Sequence, residues 1–71
     1  NGYIQIDEVV IEDKVVFSCL INALVKYAEE NLCVSIIYDE RKDTDVVSFF
    51  YEFGFSVEGQ DEYNVVLKYQ I

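Results

Sequence analysis

Residues Lys14–Leu24 read KVVFSCLINAL, and the spacing of apolar residues in and after this stretch decides the fold. Apolar residues recur at intervals of three and four, as they do on one face of an α-helix. This stripe consists of Phe17, Leu20, Ile21, Leu24 and Ala28, and Ala23 and Tyr27 widen it. The pattern predicts a helix from Val15 or Val16 to about Asn31, with Asp13 as its N-cap.

Alternating apolar residues on both sides of this helix predict strands. The alternation in Tyr3–Ile11 changes parity at Asp7-Glu8. Either an extra residue forms a β-bulge there, or the end of the strand is buried on both faces. Cys33–Tyr38 predicts the second strand. Since a β-α-β crossover is right-handed, these two strands are expected to be parallel.

The second half of the chain predicts a short helix. A charged loop, Asp39–Asp45, leads into it, and Asp43 or Thr44 is the candidate N-cap. Gly54 follows the helix at the position where a left-handed residue ends many helices, and Phe55 can pack back onto the last turn. The apolar stripe of this helix consists of Val46, Phe49, Phe50 and Phe53.

A β-hairpin is predicted at the C-terminal end. Phe55–Glu58 makes the third strand, a turn through Gly59 reverses the chain, and Tyr63–Ile71 makes the fourth strand. In the fourth strand every second residue is apolar: Tyr63, Val65, Leu67, Tyr69 and Ile71. The order β-α-β-α-β-β predicts an α/β (α+β) fold, a mixed sheet with helices packed on it.

The composition describes an apolar-rich and strongly acidic chain. Of its 71 residues 52% are hydrophobic, and 14 Asp and Glu against 5 Lys and Arg give a net charge of −9. This charge repels nucleic acid and anionic membranes and attracts cationic partners, and it also favours solubility. No apolar run approaches the ~18 residues of a membrane span. Neither nucleic acid nor membrane is therefore expected as a partner.

The chain has no histidine and two cysteines, Cys19 and Cys33. Without histidine no Ser-His or Cys-His couple can form, and two thiols do not complete a four-ligand zinc site, so no metal site is predicted. A disulfide framework in so short a chain has more cysteines. We expect buried free thiols and a reducing, cytoplasmic location.

Residues 1–71 are expected to form one small domain or a half-domain. The chain opens with Asn1-Gly2-Tyr3 and no methionine, which indicates a processed or excised polypeptide. A chain of this length buries only about 60% of its unfolded surface. A protein partner or a homodimer is therefore expected.

The element order and the stretch SFFYEFGF, Ser48–Phe55, resemble the C-terminal half of the GNAT superfamily of N-acyltransferases. The stretch is similar to a helix that ends there in an aromatic-Tyr-Glu-x-x-Gly-Phe signature, and Tyr3–Glu30 is similar to the strand-to-helix passage that precedes it. The resemblance implies acetyl coenzyme A as cofactor and transfer of its acetyl group to a cationic amine.

The resemblance also implies where the cofactor would bind. The family holds the pyrophosphate with a loop of the type Gln/Arg-x-x-Gly-x-Gly/Ala, in which small residues let the helix N–H groups approach it. Val15 and Phe17 stand at the glycine positions here, and the acids Glu12 and Asp13 precede them, so the loop is degenerate. Any cofactor contacts are implied at Val9, Lys14, Val15, Val16, Phe17 and Ser18.

Tyr51 and Glu8 are the catalytic candidates. In the family a tyrosine four residues before the glycine protonates the departing thiolate. Phe50 holds that position here, and a helix shortened by one residue would bring Tyr51 into its place. Glu8 or Asp7 could accept the amine proton through water. The resemblance also implies a backbone N–H near Asp7-Glu8-Val9 that polarises the thioester carbonyl.

Four functional hypotheses follow. The first is a GNAT-like domain that is degenerate or incomplete and acts in protein association or regulation. The second is an active N-acetyltransferase whose other strands lie elsewhere or in a second subunit. The third is an acidic interaction module that imitates nucleic acid and binds a basic protein. The fourth is a non-catalytic α+β domain that dimerises through a sheet edge.

Overall fold

The computed structural model of the chain describes residues 2–10, 13–42 and 44–71. The described strands form one mixed sheet in the order β1-β2-β4-β3, with β1 parallel to β2 and the other neighbours antiparallel. The predicted order and the α+β mixed sheet are confirmed. The elements are β1 (Tyr3–Ile6), α1 (Lys14–Glu30), β2 (Ser35–Arg41), α2 (Val46–Phe53), β3 (Ser56–Gln60) and β4 (Asn64–Gln70).

Aromatic rings join both helices to one face of the sheet. The ring of Phe50 in α2 stacks on that of Tyr38 in β2, with centroids 4.4 Å apart and planes 9° apart. Phe17 of α1 and Phe55 each meet Phe50 edge-on at 4.8 Å. Offset and edge-on pairs of this kind add stability beyond the area that they bury. Ile21, Ile36, Val47, Val65 and Leu67 complete the buried core around these rings.

The predicted ends of the two helices are largely confirmed. The Asp13 carboxylate caps α1 by accepting hydrogen bonds from the backbone N–H groups of Val15 (2.7 Å) and Val16 (3.3 Å). Gly54 ends α2 with φ of 123°, a conformation that residues with a Cβ rarely adopt. The backbone N–H of Phe55 then donates to the carbonyl oxygen of Phe50 at 3.0 Å, as the expected packing onto the last turn requires.

The first strand is shorter than predicted, and the β-bulge at Asp7-Glu8 is wrong. β1 ends at Ile6, its last residue paired with β2, and the rest of the predicted strand lies outside the sheet as far as it is described. Continuing the same register would place Asp7 beside Asp39 and Glu8 beside Glu40. Like charges in neighbouring ladder positions are destabilising, so the strands separate there.

The second strand begins and ends later than predicted. β2 covers Ser35–Arg41, so its last residues belong to the segment that was expected to be a charged loop. They are strand because residues 39–41 pair with residues 64–66 of β4. Cross-strand hydrogen bonding has overridden the low strand propensity of charged residues.

The hairpin turn also lies later than predicted. Gly59 belongs to β3 and lies opposite Val66, next to a shift in register after Val57. A β-bulge therefore exists in β3. The Asp61 carboxylate makes the turn by accepting from the backbone N–H groups of Tyr63 (2.9 Å) and Asn64 (2.8 Å), a typical aspartate turn.

Three smaller expectations need correction. The N-cap of α2 is Asp45 and not Thr44, while Asp43, Ile11 and Glu12 lie outside the described residues. Cys19 is exposed and Cys33 half-buried, so the thiols are not the buried ones expected. Some residues of the predicted apolar stripes are exposed: Leu20 and Tyr27 in α1, and Tyr63 and Ile71, which flank β4.

Replacing Asp13 by Ala should lower the free energy of unfolding by about 1 kcal/mol, because two N–H groups of the first turn of α1 lose their acceptor. Urea unfolding followed by circular dichroism measures the change. Asp45→Ala is the matched control. It removes the same charge at the N-cap of α2, but the Asp45 side chain makes no capping hydrogen bond in the described structure. Equal losses in the two variants would contradict the role given to Asp13.

Candidate functional site

β1 and β2 stop pairing after Ile6–Tyr38. The Tyr38 side chain, 1% exposed, donates a hydrogen bond from its hydroxyl to Oε2 of Glu40 at 2.6 Å. The other carboxylate oxygen of Glu40 accepts from the backbone N–H of Arg41 at 2.8 Å. Tyr38 and Glu40 therefore form a fixed polar pair at the carboxyl end of β2, the end of a parallel strand where ligands commonly bind.

The pKa of the Tyr38 hydroxyl is raised well above the ordinary value of 10.0. Burial is the largest cause, followed by the hydrogen bond to Glu40 and the negative charge of Glu40, and the charge of Glu8 adds to them. The hydrogen bond from the backbone N–H of Val9 acts in the opposite direction. Tyr38 is thus a neutral donor that links β2 to the Asp7–Val10 segment, and it is a poor proton source at neutral pH.

The start of α1, where the resemblance puts the cofactor, is occupied by the chain itself. The Asp13 carboxylate accepts hydrogen bonds from the backbone N–H groups of Val15 and Val16, the groups that would face a pyrophosphate. Nζ of Lys14 lies 2.7 Å from Oε2 of Glu52 in an exposed ion pair. The Phe17 side chain is buried among Phe49, Phe50 and Phe53. The described residues at this helix start therefore do not fit a polyanionic cofactor.

The other predicted site residues fall in three places. Val15, Val16 and Ser18 lie near the start of α1 with Lys14, and Val15 is 71% exposed. Tyr51, 46% exposed, lies in α2, whereas Glu8 and Val9 lie in the segment that leaves β1. The predicted catalytic pair is thus divided between two elements.

An apolar groove of about 540 Å³ runs between α1 and the β1 side of the molecule. Among its described lining residues Glu8 alone is charged. The lining residues are Ile6, Glu8, Val9, Val10, Phe17, Leu20, Ile21, Ala23, Leu24 and Tyr27. The polar pair of Tyr38 and Glu40 and this groove were both missed from the sequence. The sequence did contain a signal for the groove: the apolar stripe of α1 is wider than is needed to cover a single buried face.

The described parts of the chain offer neither a membrane-spanning helix nor a cluster of metal ligands. No helix among them is long and apolar enough to cross a membrane. No three of their Cys, Asp and Glu side chains lie together as metal ligands would.

The fold is that of GNAT acetyltransferases. A crystal structure of a GNAT-family acetyltransferase from Listeria monocytogenes 4b F2365 matches 97% of this chain with a TM-score of 0.80. The sequence identity is 11%, so the similarity shows the fold alone, and the chain spans 43% of the length of that protein. The resemblance to one half of such a protein is confirmed at the level of fold. No protein-family model and no curated protein sequence matches the chain.

Titration of Tyr38 should be visible at high pH. Since its pKa is raised in the folded chain, the folded state keeps this proton where the unfolded state loses it. The contribution of Tyr38 to stability is then fully present below pH 10.0 and is lost as the pH rises toward the higher pKa of the folded state.

An absorbance titration of tyrosinate, together with urea unfolding at several alkaline pH values, measures both effects. Tyr38→Phe keeps the ring that stacks on Phe50 but should remove the late tyrosinate step and make the alkaline loss of stability shallower. Tyr63→Phe, at an exposed position, is the control and should keep the late step. A late step that survives in Tyr38→Phe would assign it to another tyrosine.

Proposed function

We propose that this chain is a GNAT-like domain that acts in protein association or regulation and does not by itself bind acetyl coenzyme A. The observation that carries the proposal is the capped start of α1. The Asp13 carboxylate lies 2.7 Å from the N–H of Val15, so a negative charge stands where the pyrophosphate of the cofactor would be held. A second anion there would meet charge repulsion and a donor already in use.

Side-chain bulk at the same helix start supports the proposal. The position of one family glycine holds Phe17, whose ring is fixed in the core between α1 and α2. The position of the other holds Val15, which is 71% exposed and places a branched side chain where the family has a small residue. Lys14 is the one favourable charge, and Glu52 already pairs with it at 2.7 Å.

An active N-acetyltransferase that modifies a cationic amine is the alternative, and the fold favours it. In that case Tyr51 would protonate the thiolate and Glu8 would accept the amine proton through water. This alternative needs a cofactor site that the residues at the start of α1 do not provide. The net charge of −9 suits a cationic amine but opposes a polyanionic cofactor.

The same acidic surface supports a basic protein as the partner. The charges that remain after the ion pairs Lys14–Glu52 and Lys68–Glu58 are mostly negative, because acids outnumber bases 14 to 5. We place the chain in the cytoplasm on the strength of two free cysteines, of which Cys19 is exposed, since exposed thiols persist in a reducing compartment.

Calorimetric titration of acetyl coenzyme A into the purified chain at low salt tests the proposal. We expect no binding at millimolar ligand. Asp13→Asn combined with Val15→Gly removes the charge and the bulk together and should bind more tightly than the unchanged chain. Asp45→Asn combined with Val46→Gly makes the same changes at the start of α2 and should bring no gain. A dissociation constant in the micromolar range for the unchanged chain would instead establish the enzyme alternative.

A further inference from the structure

We draw no further inference here: the strongest candidate, the polar pair of Tyr38 and Glu40 at the carboxyl end of β2, belongs to the candidate site already described, and hydrogen bonds among its own residues do not point to a ligand.

Discussion

The rings of Tyr38 and Phe50 stack with centroids 4.4 Å apart at the centre of the core. Phe50 holds α2 on the sheet and contacts Phe17 of α1 and Phe55, the residue before β3, so one ring joins β2 and both helices. In a chain of 71 residues a small core must come from large side chains, and aromatic residues supply the most buried area per residue. The same stack buries the Tyr38 hydroxyl and fixes it against Glu40.

Charge decides how the sheet ends on the β1 side. The acidic pairs Asp7-Glu8 and Asp39-Glu40 would lie side by side if β1 continued along β2, and the two strands separate instead. The Tyr38–Glu40 hydrogen bond forms next to this point of separation. The separation also frees Val9 and Val10 to line the groove beside α1. A local repulsion between carboxylates thus shapes both candidate surfaces of the molecule.

The start of α1 is stabilised from within the chain. An aspartate cap stabilises the helix from within the chain, using N–H groups that a GNAT fold can also offer to a ligand. Phe17 packs against Phe50 in the core. A ligand could approach the backbone closely at this position only if the residue were small. The residues that stabilise this helix start therefore leave a negative charge and side-chain bulk where its N–H groups would otherwise be accessible.

The order of elements, the Asp13 cap and the Gly54 helix end could be predicted from the amino-acid sequence, because each follows from local periodicity or from one residue's backbone preference, and the parallel first pair of strands follows from the β-α-β order. The limits of β1 and β2, the turn at Asp61 and the bulge in β3 were decided by the tertiary structure, since cross-strand pairing and charge repulsion act between residues far apart in the chain. The same holds for the candidate site. The geometry of β2 brings the side chains of Tyr38 and Glu40 together. The groove exists because part of the apolar stripe of α1 does not pack against the sheet.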